Sequence, residues 1–486
     1  MILTLKNIGL IAEMELDLSK QLLVFCGPNN TGKTYASYTL YALHALVHNA
    51  AGFAQQFPLP TPVDQLMSSG AAIVDVETYL SRHQAEILAL IAQELKQILP
   101  DVFASTKKHF DTAEVELVLT TTPFGVGWLA EDFRQTWSIG AAYCLEVLKV
   151  AGQPEVTLLL VSGPSNSNNH LGLGFGGGED TRAPEAPSAD LLTHQLRTWI
   201  AQTILSRLLP RPFIIPAERI AIQLFAREMS LAKSRAIDQF FAPSVPQSGR
   251  GKANKMSTRA YLYPLPVRDA LALTEDMTIL IRTKSSLAPL ATWLEKTVLE
   301  GEIGINKDGE MDYLPANQKK AMPLHTAASM VKSLAMLVLY LRHIARPGDL
   351  LILDEPELNL HPNNQLQLAR LIGRLVHSGV RVLMTTHSDY LIRELNNMTT
   401  LQSIKAHRKA LMTKYDYSQD ELIDYRQIGA YAFGVGTGER PSRLIVEPDG
   451  FAVPTLDVVT NSLNLASDEI SFYLGQELDE AAAIKQ

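Results

Sequence analysis

The chain has 486 residues, 46% hydrophobic and 19% charged, and carries a net charge of −8, the balance of a globular protein with room for two or three domains. The acidic surplus argues against a surface coated for nucleic acid, although a local basic groove stays open. Two cysteines, Cys26 and Cys144, no apolar run of membrane-spanning length and a strand-like start set the expectation of a cytoplasmic chain without membrane contact.

Taken in order, residues 2–8, 14–18 and 22–25 read as strands. The last runs into Gly27-Pro28-Asn29-Asn30-Thr31-Gly32-Lys33-Thr34, and an apolar, helix-prone stretch follows over 35–47. Strand, G-x-x-x-x-G-K-[ST] and helix together make a phosphate loop in the context it requires. Glycines let the backbone wrap phosphates, while loop N–H groups and the helix N-terminus supply donors and positive potential. Lys33 is expected to neutralise β/γ-phosphates, and the Thr34 hydroxyl to ligate magnesium.

A periodic apolar run over 76–99 predicts a helix stopped by Pro100, and 114–121 and 155–161 are β-rich. Residues 165–180 (SNSNNHLGLGFGGGED) do not follow a strand and open a helix in nucleotide-binding register, so they read as a flexible loop. A helix over 189–209 leads to a strand at 213–215. From 220 to 298 the chain looks helical but interrupted, with no sustained heptad. Within it Arg227, Lys233, Arg235, Arg250, Lys252, Lys255 and Arg259 outnumber Glu228 and Asp238, an excess of five charges. A solvated loop is one account; contact with DNA or RNA phosphates is the other. Few aromatics interleave it, which weakens a base-stacking role.

A helix opening at Thr326 carries an apolar stripe at Val331, Leu334, Ala335, Val338 and Leu341. The run Leu350-Leu351-Ile352-Leu353 then ends in Asp354 and Glu355, bounded by Arg346-Pro347-Gly348 and Pro356, and reads as a buried strand. Acids at the C-terminal edge of such a strand suit phosphoryl transfer, in which one holds magnesium while the other orients or deprotonates a water. Ordinary solvated acids are the bland alternative. A further strand over 381–384 ends in Thr385-Thr386-His387-Ser388; beside the acidic strand, His387 could reach the same phosphates. Strands are also expected at 427–433 and 443–446, and a helix at 457–474.

The order of phosphate loop, long insertion, serine-bearing helix, LLILDEPELNLHP and TTHS resembles ABC-type ATPase heads of the RecF, SMC and OLD class, closest to AAA-family ATPases of phage-defence systems. The resemblance covers residues 1–41 and 324–397, with weaker support at 213–219. It implies an α/β P-loop fold with an antiparallel side-sheet, completed by 114–121 and 155–161, and a helical insertion. It divides the chain into lobe I over 1–216, an insertion over 217–318, lobe II over 319–440 and an extension over 441–486. On it, Gly27 to Thr34 match the nucleotide loop, Asp354 the metal-holding acid, Glu355 the catalytic acid and His387 the switch histidine. The signature serine falls on Ala328, with Ser329 beside it, and the paired glycines are missing. No D-x-D nuclease module follows His387.

By this resemblance ATP and Mg2+ bind at the loop, Glu355 activates water, and His387 stabilises charge on the γ-phosphate. A second subunit's helix near Ser329 completes the site, giving a nucleotide-dependent homodimer or higher oligomer. Arg219 is a candidate for coupling nucleotide state to the middle region, with a structural ion pair as the alternative. The implied function is an ATPase sensor that regulates a partner effector, such as a nuclease or toxin, in anti-phage defence. A RecF-like DNA-repair ATPase and a nucleotide-locked scaffold are the alternatives.

Overall fold

The computed structural model describes residues 1–46, 52–58, 63–120, 126–139, 143–162, 187–225, 262–275, 277, 281–434 and 440–454. The glycine-rich run 165–180, the basic segment 227–259 and the helix expected at 457–474 lie outside the described residues. Contacts group the chain into two units: Met1–Ile2, Leu43–Gln97 and Val115–Arg211 form the first, and Leu3–Ala42, Ile98–Glu114 and Pro212–Gln486 the second. The strands expected at 2–8 and 14–18 form as β1 (Ile2–Ile8) and β2 (Ile11–Asp17), and the run at 114–121 forms β5 (Glu114–Val118).

In the second unit, continuous apolar runs become strands buried on both faces, the behaviour of parallel strands covered on each side. Every residue of β3 (Leu22–Cys26), β13 (Leu350–Asp354) and β15 (Ile428–Ala432) is buried. Each of the four apolar residues of β13 contributes about 1.5–3 kcal/mol relative to exposure. Together with β9 (Pro212–Ile215), β14 (Arg381–Thr386) and β16 (Ser442–Arg443) they form one sheet in the order β16-β15-β3-β14-β13-β9. All pairs are parallel except β15 with β16. Register sets Cys26 beside Thr386 and Asp354 beside Thr385, so the segments after β3, β13 and β14 leave from one edge.

The helix Ser329–Leu339 buries the expected stripe and runs on into a π-helical turn, Tyr340–Ile344, where Tyr340 stacks on Phe213 with ring centroids 4.4 Å apart. Thr326, where the sequence places the start of this helix, instead closes a short 3-10 turn. The amphipathic helix Pro362–His377 packs so tightly that a Cβ on Gly373 would stand 2.1 Å from the Glu421 carbonyl oxygen. Strands β10 (Gly301–Ile305) and β11 (Met311–Pro315), within the 217–318 stretch expected to be mainly helical, make a small antiparallel sheet with β12 (Met322–Pro323).

The first unit holds a four-stranded antiparallel sheet, order β4-β8-β7-β6, from β4 (Ala71–Asp75), β6 (Phe133–Ile139), β7 (Tyr143–Lys149) and β8 (Glu155–Ser162). The β-rich run at 155–161 therefore pairs with β4 and β7 in this sheet. Between the two β-rich runs the sequence predicts no strand, yet β6 and β7 pair over seven residues each. The helix Val76–Val102 is not stopped at Pro100. Proline there costs one N–H near the helix end, and Phe103 still donates to Leu99 O at 3.1 Å. The strand expected at 443–446 shortens to Ser442–Arg443.

Candidate functional site

The phosphate loop joins β3 to the helix Lys33–Ala45. Three residues adopt the left-handed conformation: Gly27 (φ 132°), Asn30 (φ 60°) and Gly32 (φ 100°). Gly27 has a second reason to be glycine, since a Cβ there would lie 2.2 Å from Phe433 O. Pro28, Asn29, Asn30 and Thr34 are exposed, whereas Lys33 is only 5% exposed. Its ammonium donates to the loop's own carbonyls, Gly27 O at 3.0 Å and Pro28 O at 2.6 Å. Burial lowers the Lys33 pKa, an effect opposed by the charges of Glu355, Asp354 and Glu357, which places these acids within electrostatic reach of the loop.

At the end of β13, Asp354 is 2% exposed. Burial pushes its carboxyl up to about 6, against the lowering effect of the Thr385 hydrogen bond. The Thr385 hydroxyl donates to Asp354 Oδ1 at 2.6 Å and accepts from the Glu355 N–H at 2.9 Å. One threonine on β14 thus fixes both acids. Glu355 sits at φ 48°, a conformation that costs a non-glycine residue about 1–3 kcal/mol and needs external support.

The Glu355 Oε1–His387 Nε2 distance is 3.0 Å. This hydrogen bond is the leading cause that holds the Glu355 carboxyl below its ordinary value; burial opposes it, and Lys33 and Arg219 add to it. An ionised carboxylate only accepts, so Nε2 carries the proton in this pair. Glu357 does the complementary work: its Oε1 accepts from Thr386 Oγ1 at 2.8 Å and from the His387 N–H at 2.7 Å. The strand end that presents His387 is thereby tied to the acidic segment.

The structure brings Asp354, Glu355 and His387 together and sets Lys33 and its loop two strands away in the same sheet. Ser329 is exposed at the first turn of its helix, with Ala328 as an N-cap that makes no side-chain bond. Thr385 and Glu357 carry no sequence signal for these roles, save that Glu357 is the third acid of the D-E-P-E run, whereas the buried Arg219 is the residue the sequence offers for coupling.

Residues 270–392 match the AAA ATPase domain family, a stretch that holds the acidic strand and His387 but not the phosphate loop. The fold is α/β, with the loop Gly27–Thr34 and its helix following a central strand of a largely parallel sheet. Three solved SMC heads resemble it. One, bound to the C-winged helix domain of ScpA, is 10% identical with a TM-score of 0.33, covering 91% of this chain and 96% of its own. The Pyrococcus furiosus head with an extended coiled coil, bound to the C-terminal domain of ScpA, is 11% identical with a TM-score of 0.31, over 96% and 98%. The Thermotoga maritima head is 10% identical with a TM-score of 0.30, over 92% and 98%. No curated protein matches the chain.

The residue types at this site suit a magnesium ion. Asp354 is a buried carboxylate whose charged form lacks solvation, and Thr34 offers an exposed hydroxyl; one or two such ligands are what magnesium takes alongside phosphate oxygens and water.

Proposed function

We propose that this chain binds and hydrolyses ATP, dimerises on the nucleotide and uses that cycle to regulate a partner effector, in the manner of the defence ATPases its sequence resembles. One observation carries the hydrolytic part: the phosphate loop, the acids of β13 and the histidine after β14 leave one edge of one largely parallel sheet. That is where ligands bind in open α/β sheets.

Gly27 to Thr34 hold the triphosphate, Lys33 exchanging its loop carbonyls for phosphate oxygens. Thr34 and Asp354 would hold Mg2+, which supplies charge neutralisation between the phosphates when bound. Glu355, kept ionised by His387, orients the attacking water, and His387 Nε2–H then offers a donor to charge developing on the γ-phosphate. The exposed first turn at Ser329 supports a role facing a second subunit, its N–H groups meeting that subunit's nucleotide. Lobe and insertion boundaries near 216, 318 and 440 belong to the same proposal.

The test is equilibrium binding of a fluorescent ATP analogue, with molecular mass measured in the same samples. Wild type should bind and shift toward dimer with ATP, and Lys33→Ala should do neither. Equal affinity in the two proteins would remove the loop from the account.

A further inference from the structure

Arg219 follows β9 and is 2% exposed, and its five N–H donors all find acceptors. Nε donates to Ser333 O and to Ser333 Oγ, each at 3.0 Å. One terminal nitrogen donates to Asp354 O at 3.0 Å and Pro216 O at 3.3 Å; the other donates to Glu355 O at 3.0 Å and Pro356 O at 3.4 Å. Every one of these acceptors is a backbone carbonyl or a hydroxyl. A guanidinium held for charge alone would be expected to meet a carboxylate. This one instead aims its fork at the backbone carrying the two acids and at a residue in the second turn of the helix Ser329–Leu339.

Ser333 extends the link, its hydroxyl donating to Leu358 O at 3.0 Å. The segment from Asp354 to Leu358 is therefore bonded near both ends to one helix, through one arginine and one serine. Within that segment lies Glu355 at φ 48°, the strained residue whose carboxylate meets His387.

We propose that Arg219 is a positioning residue: it holds the Asp354–Pro356 backbone in the geometry that aims Glu355, and it locks that segment to the helix bearing Ser329. The role rests on the ATPase reading above and deepens it. Acid and helix then shift as one piece, so a nucleotide that moves Glu355 in its own site also moves the helix offered to a second subunit. Lysine could not substitute, because three donors radiating from one point cannot serve acceptors spread over three segments. The alternative of a structural ion pair with a carboxylate does not describe the bonds that Arg219 makes.

The test compares wild type, Arg219→Lys and Ser333→Ala, each as the full chain, with Glu355→Gln as control. Arg219→Lys should cut kcat by about 30-fold or more, while affinity for a fluorescent ATP analogue stays within about threefold, since misalignment near 1 Å costs on the order of a hundredfold. Ser333→Ala keeps the carbonyl bonds and should lose about three- to tenfold in kcat, which serves if the arginine variant fails to fold. Hydrogen exchange without nucleotide supplies a readout independent of turnover. Peptides over 329–339 and 350–360 should both exchange about tenfold faster in Arg219→Lys. Wild-type kcat in both variants, or faster exchange in one peptide only, would overturn the lock. Wild type and Glu355→Gln turning over alike would instead sink the ATPase reading, and the exchange data would still decide the fate of Arg219.

Discussion

Asp354→Asn should stabilise the nucleotide-free protein, and the size of the gain follows from the site. Burial raises the Asp354 carboxyl from 3.8 to about 6 in the folded chain. The folded state therefore holds this proton more tightly than the unfolded state does. Its contribution to stability is fully present below pH 3.8 and is lost as pH rises through 6. A gap of about two units at ~1.4 kcal/mol each comes to about 3 kcal/mol of destabilisation at pH 7.5, shrinking to about 1 kcal/mol at pH 4.5. Asparagine keeps the shape, can accept from Thr385 and carries no charge. Urea denaturation of both proteins at the two pH values, without nucleotide or magnesium, reads the difference. Adding Mg-ATP should reverse the order, because only wild type gains the binding term. A variant less stable than wild type at pH 7.5 without ligand, or a gain that does not shrink in acid, would refute the view of Asp354 as a buried, poorly solvated charge.

Other outcomes follow from the same geometry. Gly27→Ala, whose Cβ would meet Phe433 O at 2.2 Å, should abolish analogue binding while the far-UV circular dichroism stays native. Glu357→Ala leaves the Thr386 hydroxyl and the His387 N–H without their acceptor, so kcat should fall about tenfold with analogue affinity nearly unchanged. If Arg250, Lys252, Lys255 and Arg259 touch duplex phosphates, log affinity should fall with log salt at about −0.9 per phosphate, and the fourfold alanine variant should flatten that slope by up to roughly 3–4. Fluorescence anisotropy at two salt concentrations measures it, and no duplex binding by wild type near 0.15 M salt would exclude DNA as a ligand there.

What the sequence makes legible is local. The phosphate loop is a run of eight residues between a strand and a helix, and β13 is an apolar run because a parallel strand buried on both faces leaves no polar position. Both can be read without knowing their neighbours, and so can the positions proposed for the site, Asp354, Glu355 and His387. The side chains that hold those residues in place are not legible, because their partners lie far off in the chain. Arg219 meets Ser333 and Asp354 across 114 and 135 positions. Thr385 is a β-branched residue at a strand end until register sets it beside Asp354. The β6–β7 pair is hidden for another reason: β6 is largely exposed and mixes Arg134, Gln135, Thr136 and Ser138 among its apolar residues, blurring the alternation that marks a half-buried strand. Pro100 misleads because proline reads as a stop, whereas two more helical residues follow it.

Glu355 carries the central claim, and steady-state ATP hydrolysis by Glu355→Gln tests it most directly. Glutamine preserves size and hydrogen bonding and removes the ionised carboxylate that His387 steadies. Turnover should fall by roughly two orders of magnitude or more while ATP still binds and holds the protein as a dimer. Hydrolysis at the wild-type rate would contradict the account, since the carboxylate at the end of β13 would then not be the one that acts on water.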